Sequence, residues 1–126
     1  MKKVTISMLG TEYPLCFSLR VVRSCGEHFG GLENMDTALT GGGAEKSIGE
    51  CVWLLSQMLD AGYRYELCEG KEAQKPPTED ALMDQFGIDD LADLQQCLTD
   101  TMNAGKERTV EAEAPKNGEA QEEKIG

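Results

Sequence analysis

The chain has 126 residues, which suits one domain, and 40% of them are hydrophobic, enough for a core without disulfide or metal staples. Acidic residues outnumber basic ones 23 to 12, a formal net charge of −11. A field of that sign repels phosphate backbones and anionic headgroups, so neither nucleic acid nor a membrane surface is an expected partner.

Residues 3–9 alternate with Val4, Ile6 and Met8 on one face, and residues 12–17 alternate with Tyr13, Leu15 and Phe17. Gly10-Thr11 between them supplies a turn, so a β-hairpin is expected. Pro14 lacks an N–H and belongs on an open edge. A lone hairpin is marginal, so its apolar face must lie on helices.

Ser18 is the expected N-cap of a helix from Leu19 to Phe29 that ends at Gly30-Gly31. Leu19, Val22, Gly26 and Phe29 follow one helical stripe, with Val21, Cys25 and His28 beside it. A short helix is expected over Leu32 to Leu39, before the break at Gly41-Gly42-Gly43. The strongest helical signal runs from Ala44 to Ala61, where Ile48, Cys51, Val52, Leu54, Leu55, Met58 and Leu59 form a broad apolar face and Gly62 closes the end. Residues 63–68 either extend that helix or run irregularly.

Pro76-Pro77 stops the chain, and Thr78 caps a restart with Glu79 and Asp80 in the first turn. That helix runs to Gly87. Asp89 or Asp90 opens a last one, with Leu91, Leu94, Leu98 and Met102 at helical spacing and Gly105 as terminator. Residues 106–126 hold six Glu, four Lys or Arg, and only Val110 and Ile125 as large apolar groups. Such a segment buries too little to offset its ordering entropy, so a disordered acidic tail is expected. The expected fold class is α+β, mainly α: an N-terminal hairpin packed on about four helices over residues 1–105, then the tail 106–126.

Five cysteines, Cys16, Cys25, Cys51, Cys68 and Cys97, contain no CxxC pair, are odd in number and mostly lie among apolar neighbours. They read as small hydrophobes in a reducing compartment. With His28 the only histidine and no short ligand pair, neither a metal nor another cofactor is expected. No apolar run suits a signal peptide or a membrane span, so the cytoplasm is the expected location.

The loop Gly41-Gly42-Gly43-Ala44-Glu45-Lys46-Ser47 ends in Lys-Ser before a helix, as a phosphate-binding loop does. That pattern requires Gly immediately before Lys and another five residues earlier, where this chain has Glu45 and Thr40. A linker before a helix is the better reading. Cys25 and His28 lie three residues apart on one helix, within reach as nucleophile and base, but no third residue orients them. An inert thiol beside a partly buried histidine fits better. Asp89, Asp90 and Asp93, like Glu66 and Glu69, lack a calcium-loop spacing and read as solvated faces. The expectation is a non-catalytic binder, with Trp53, Tyr63 and Tyr65 either candidate partner-binding residues, because Tyr and Trp are frequent contact anchors, or residues that finish the core.

The order of these features resembles one family, the tail assembly chaperones of long-tailed bacteriophages and prophages of Gram-positive hosts. The matching residues are Gly10-Thr11-Glu12-Tyr13-Pro14-Leu15-Cys16-Phe17-Ser18-Leu19 entering the first helix and His28-Phe29-Gly30-Gly31-Leu32 leaving it. The central helix with Gly62-Tyr63, then Pro76-Pro77-Thr78-Glu79-Asp80-Ala81-Leu82, follow in the same order. The resemblance covers about residues 4–105. It implies a protein of the host bacterial cytoplasm that binds the tape measure protein, a helical aggregation-prone ruler, and keeps it soluble until the tail tube polymerises around it. The tail-tube protein is a second candidate partner, homo-oligomerisation stays open, and the resemblance fixes no ruler-binding residue. The alternative is a structural tail-completion or connector protein retained in the virion. Many family members also have a longer form made by ribosomal frameshifting, for which codons of Pro115-Lys116-Asn117 are a candidate slippery site.

Overall fold

A computed structural model of the chain describes residues 1–107; the tail read as disordered lies, beyond Glu107, outside the described residues. The alternation near the N-terminus becomes two antiparallel strands, β1 (Val4–Met8) and β2 (Thr11–Leu15). Val4 pairs with Leu15, Ile6 with Tyr13 and Met8 with Thr11, so the apolar members share one face, as period two demands. The turn sits one residue earlier than expected, on Leu9-Gly10. Both residues have positive φ, 50° and 82°, which a two-residue turn matched to strand twist requires. Leu9 therefore carries the backbone strain, and its side chain is 83% exposed.

The edge of β2 away from β1 docks on the long central helix. The Cys16 N–H donates to the Met58 carbonyl at 3.2 Å, and the Pro14 carbonyl lies against Gly62. Within a strand residue, N–H and C=O point to the same side, so the missing Pro14 donor falls on the edge away from β1, but that edge is covered by α3 rather than open as the sequence suggested.

Helix α1 (Leu19–Phe29) has the expected limits. Ser18 Oγ accepts the Val21 N–H at 3.4 Å, and Gly30 in the left-handed region lets the Gly31 N–H reach the Gly26 carbonyl at 2.8 Å. Its buried residues are Val21 and Cys25, however, while Leu19 is 87% exposed. The core-facing stripe is thus the one expected to be its neighbour. A 3₁₀ turn (Leu32–Asn34) leads into the short α2 (Met35–Thr40).

Helix α3 (Ala44–Cys68) is the centre of the core, burying Cys51, Val52, Leu54, Leu55, Met58 and Leu59. It passes through Gly62 without stopping. The lack of a side chain there serves close approach: a Cβ would sit 2.6 Å from the Pro14 carbonyl carbon and 3.2 Å from the Leu15 nitrogen. Gly105 also serves close approach. It lies inside α5 (Leu91–Lys106), and a Cβ there would meet the Phe17 Cβ at 2.5 Å. Gly62 is a helix-internal contact site that had the look of a helix end, whereas Gly105 stands in the last turn of α5, one residue before its end.

Helix α4 (Glu79–Gln85) begins at Thr78, whose Oγ1 accepts the Ala81 N–H at 3.2 Å. A 3₁₀ turn (Ile88–Asp90) then precedes α5, and Asp90 turns its Oδ2 back to accept the Gly87 N–H at 2.8 Å. Among the described residues, two strands and five α-helices make the fold α+β, mainly α. Among the described residues, no helix is long and apolar enough to cross a membrane.

Candidate functional site

The residues proposed as anchors do not form one patch. All three lie on α3, but Tyr63 and Tyr65 stand ten and twelve positions beyond Trp53, about 15–18 Å along the axis at 1.5 Å per residue. Trp53 is half-buried. The His28 ring stacks on its indole at a centroid distance of 3.7 Å and an interplanar angle of 8°, and Phe29 meets it edge-on at 5.5 Å. Tyr65 packs on the core, with Lys3 Nζ 5.4 Å from its ring centre. Lys3 also bonds Glu69 at 3.2 Å, and this bond is the main cause holding the Glu69 carboxyl below its ordinary range. Tyr63 is half-exposed at the same end of α3.

His28 Nε2 lies 2.7 Å from Glu50 Oε1, so its imidazole is engaged by α3. Cys25 is fully buried, and burial pushes its thiol up to about 11. Cys16 is lifted to about 11 by the same cause, and burial also raises Cys51 and Cys97. These thiols stay protonated near neutrality and are poor nucleophiles. All five cysteines are free, and Cys68 is the exposed one. Among the described residues, no three potential ligands come together to hold a metal.

The glycine loop before α3 is a tight turn, with Gly42 and Gly43 at φ 77° and 94°. Ser47 points inward from it. Its hydroxyl donates to the Leu39 carbonyl, which also receives Gln95 Nε2 at 3.1 Å and the Cys51 thiol at 3.7 Å. Leu39 lies in the last turn of α2, where helix geometry leaves carbonyls without partners. Ser47 of the Lys-Ser pair therefore fastens α2 to α3 and α5, while Lys46 stays exposed.

Beside these bonds lies a mainly apolar groove of about 280 Å³ between α2 and α5, with Cys51 of α3 contributing to its lining. Leu32, Met35 and Leu39 line one side, Leu98 and Met102 the other, and Phe17 also contributes. Leu32 is 47% exposed at the lip, beside Asp36. Sequence reasoning missed this groove because the spacing of Leu98 and Met102 is that of core residues. The usable signal was the 0, 3, 7 spacing of Leu32, Met35 and Leu39 on a segment too short to bury an apolar face by itself. A second cleft, of about 100 Å³, lies between α3, α4 and α5 and is lined by Ile48, Val52, Leu82, Phe86, Leu91 and Leu94, with Met83 and Ile88 at its mouth.

No protein family, curated protein or solved structure matches the chain in comparison.

Proposed function

We propose that the protein is a non-catalytic tail assembly chaperone that binds the tape measure protein of a long-tailed phage and keeps it soluble in the host cytoplasm until the tube forms. The observation that carries this reading is an open apolar groove on a strongly acidic chain. An aggregation-prone helical ruler exposes apolar stripes, and the α2–α5 groove offers them a complementary surface through Leu32, Met35, Leu98 and Met102. The formal charge of −11 keeps such a complex soluble through self-repulsion. The run of matching residues from Gly10 to Leu19 and from Pro76 to Leu82 supports the same family.

In this role the chain leaves the ruler before the particle is complete. Mass spectrometry of purified virions from the genome that encodes it tests this directly. The expected result is tape measure and tube peptides without peptides of this chain. Abundant peptides of this chain, in proportion to the tube or connector proteins, reject the chaperone in favour of a retained tail-completion or connector subunit.

A further inference from the structure

The cleft between α3, α4 and α5 has a chemistry different from the α2–α5 groove. The side chains that line it are all apolar, and two large ones stand out at its mouth: Met83 is 48% exposed and Ile88 71%. At about 100 Å³ it has space for an anchoring side chain rather than for a small molecule, whose sites run to roughly 300–1,000 Å³.

The α4–α5 stretch that supplies most of its lining carries charge of one sign. Glu79, Asp80, Asp84, Asp89, Asp90, Asp93 and Asp100 fall between residues 79 and 100, a stretch with no Lys or Arg. None of the seven makes an ion pair among the described residues. Glu79 and Asp80 stand one turn before Met83 on α4, and Asp84 and Asp89 adjoin Met83 and Ile88. Like charges gathered around exposed apolar groups repel one another, and a cationic partner relieves that repulsion.

We propose that this cleft is a docking surface for a basic amphipathic helix of a partner protein, whose apolar side chain seats between Met83 and Ile88 while its Lys or Arg residues meet the acidic rim. The surface is separate from the α2–α5 groove and does not rest on the chaperone reading, so either one fails without the other.

The test uses the full chain and a fluorescein-labelled peptide of Leu and Lys only, roughly 14 residues or four turns long, with Leu at helical spacing. A Leu/Glu peptide of the same pattern is the control. Fluorescence anisotropy is expected to report binding of the Lys peptide, weakening as salt screens the rim, and none of the Glu peptide. Ile88→Ser and Met83→Ser, both at exposed positions, should each weaken binding by about tenfold with the melting temperature unchanged. Leu32→Ser in the other groove should leave binding as it is. Amide shifts induced by the peptide should concentrate at residues 79–94. Attraction by net charge alone would survive Ile88→Ser. That result, equal binding of both peptides, absence of binding, or shifts centred outside residues 79–94 each overturns the proposal.

Discussion

Replacing Gly62 by Ala tests how β2 is held on α3. On an isolated helix the change is favourable by about 1 kcal/mol, because Ala is the better helix former. In the folded chain the new methyl would sit 2.6 Å from the Pro14 carbonyl carbon, where non-bonded carbons prefer about 3.5–4.0 Å. Backbone must therefore move by about 1 Å, and neither partner is a flexible side chain. That shift also loosens the Cys16 N–H bond to the Met58 carbonyl, worth about 1 kcal/mol. Overpacking of this kind costs about 1–3 kcal/mol or more, and a backbone clash belongs at the upper end. After the propensity gain the net loss is about 2–3 kcal/mol, or roughly 10–20 °C in melting temperature for a domain of this size. Gly49→Ala is the control on the same helix: a Cβ there meets nothing within 4 Å, so the change should stabilise by about 0.5–1 kcal/mol. Urea unfolding of both variants reads the difference. If Gly62→Ala is neutral or stabilising, the close approach of β2 to α3 is wrong.

Two further outcomes follow from the aromatic and thiol groups. His28→Ala removes a ring stacked on Trp53 and a bond to Glu50 at the protein surface, for a loss of about 1–2 kcal/mol; Trp53 emission should shift to the red, and unchanged emission would contradict the stack. Cys16 and Cys25 are lifted by burial from 9.0 to about 11, so between those pH values the unfolded chain loses protons that the folded chain keeps. Stability should therefore fall as pH rises from about 9 to 11, and alkylation of the folded protein at neutral pH should mark Cys68 while sparing Cys16 and Cys25; rapid labelling of Cys25 would refute its burial.

Local signals in the sequence carried local structure. Ser18 and Gly30 bracket α1 because a cap is a bond between near neighbours, and Thr78 acts likewise for α4. The hairpin was legible from alternation, although the turn residue with positive φ beside Gly10 is Leu9, which no turn preference favours. Gly62 shows where this reasoning stops. A glycine that ends a helix and one that admits another backbone look alike in sequence, and only the distant partner, here Pro14, separates them. His28 gives the same lesson: sequence spacing offered Cys25, whereas the folded chain brings Glu50 and Trp53 from a different helix. Trp53, Tyr63 and Tyr65 were visible as aromatic groups, but their spread along α3 followed from the extension of that helix beyond Gly62. Both apolar clefts are products of packing between helices distant in the chain.

The central claim is that this chain holds an apolar helical ruler in solution, and co-expression measures it most directly. Under the proposed function, a tape measure protein of a long-tailed phage should be largely insoluble alone and move into the soluble fraction, bound to this protein, when both are made together. Leu32→Asp, at the lip of the α2–α5 groove, should reduce that rescue without unfolding the chain. A ruler that stays in the pellet despite abundant soluble wild-type protein would contradict the account.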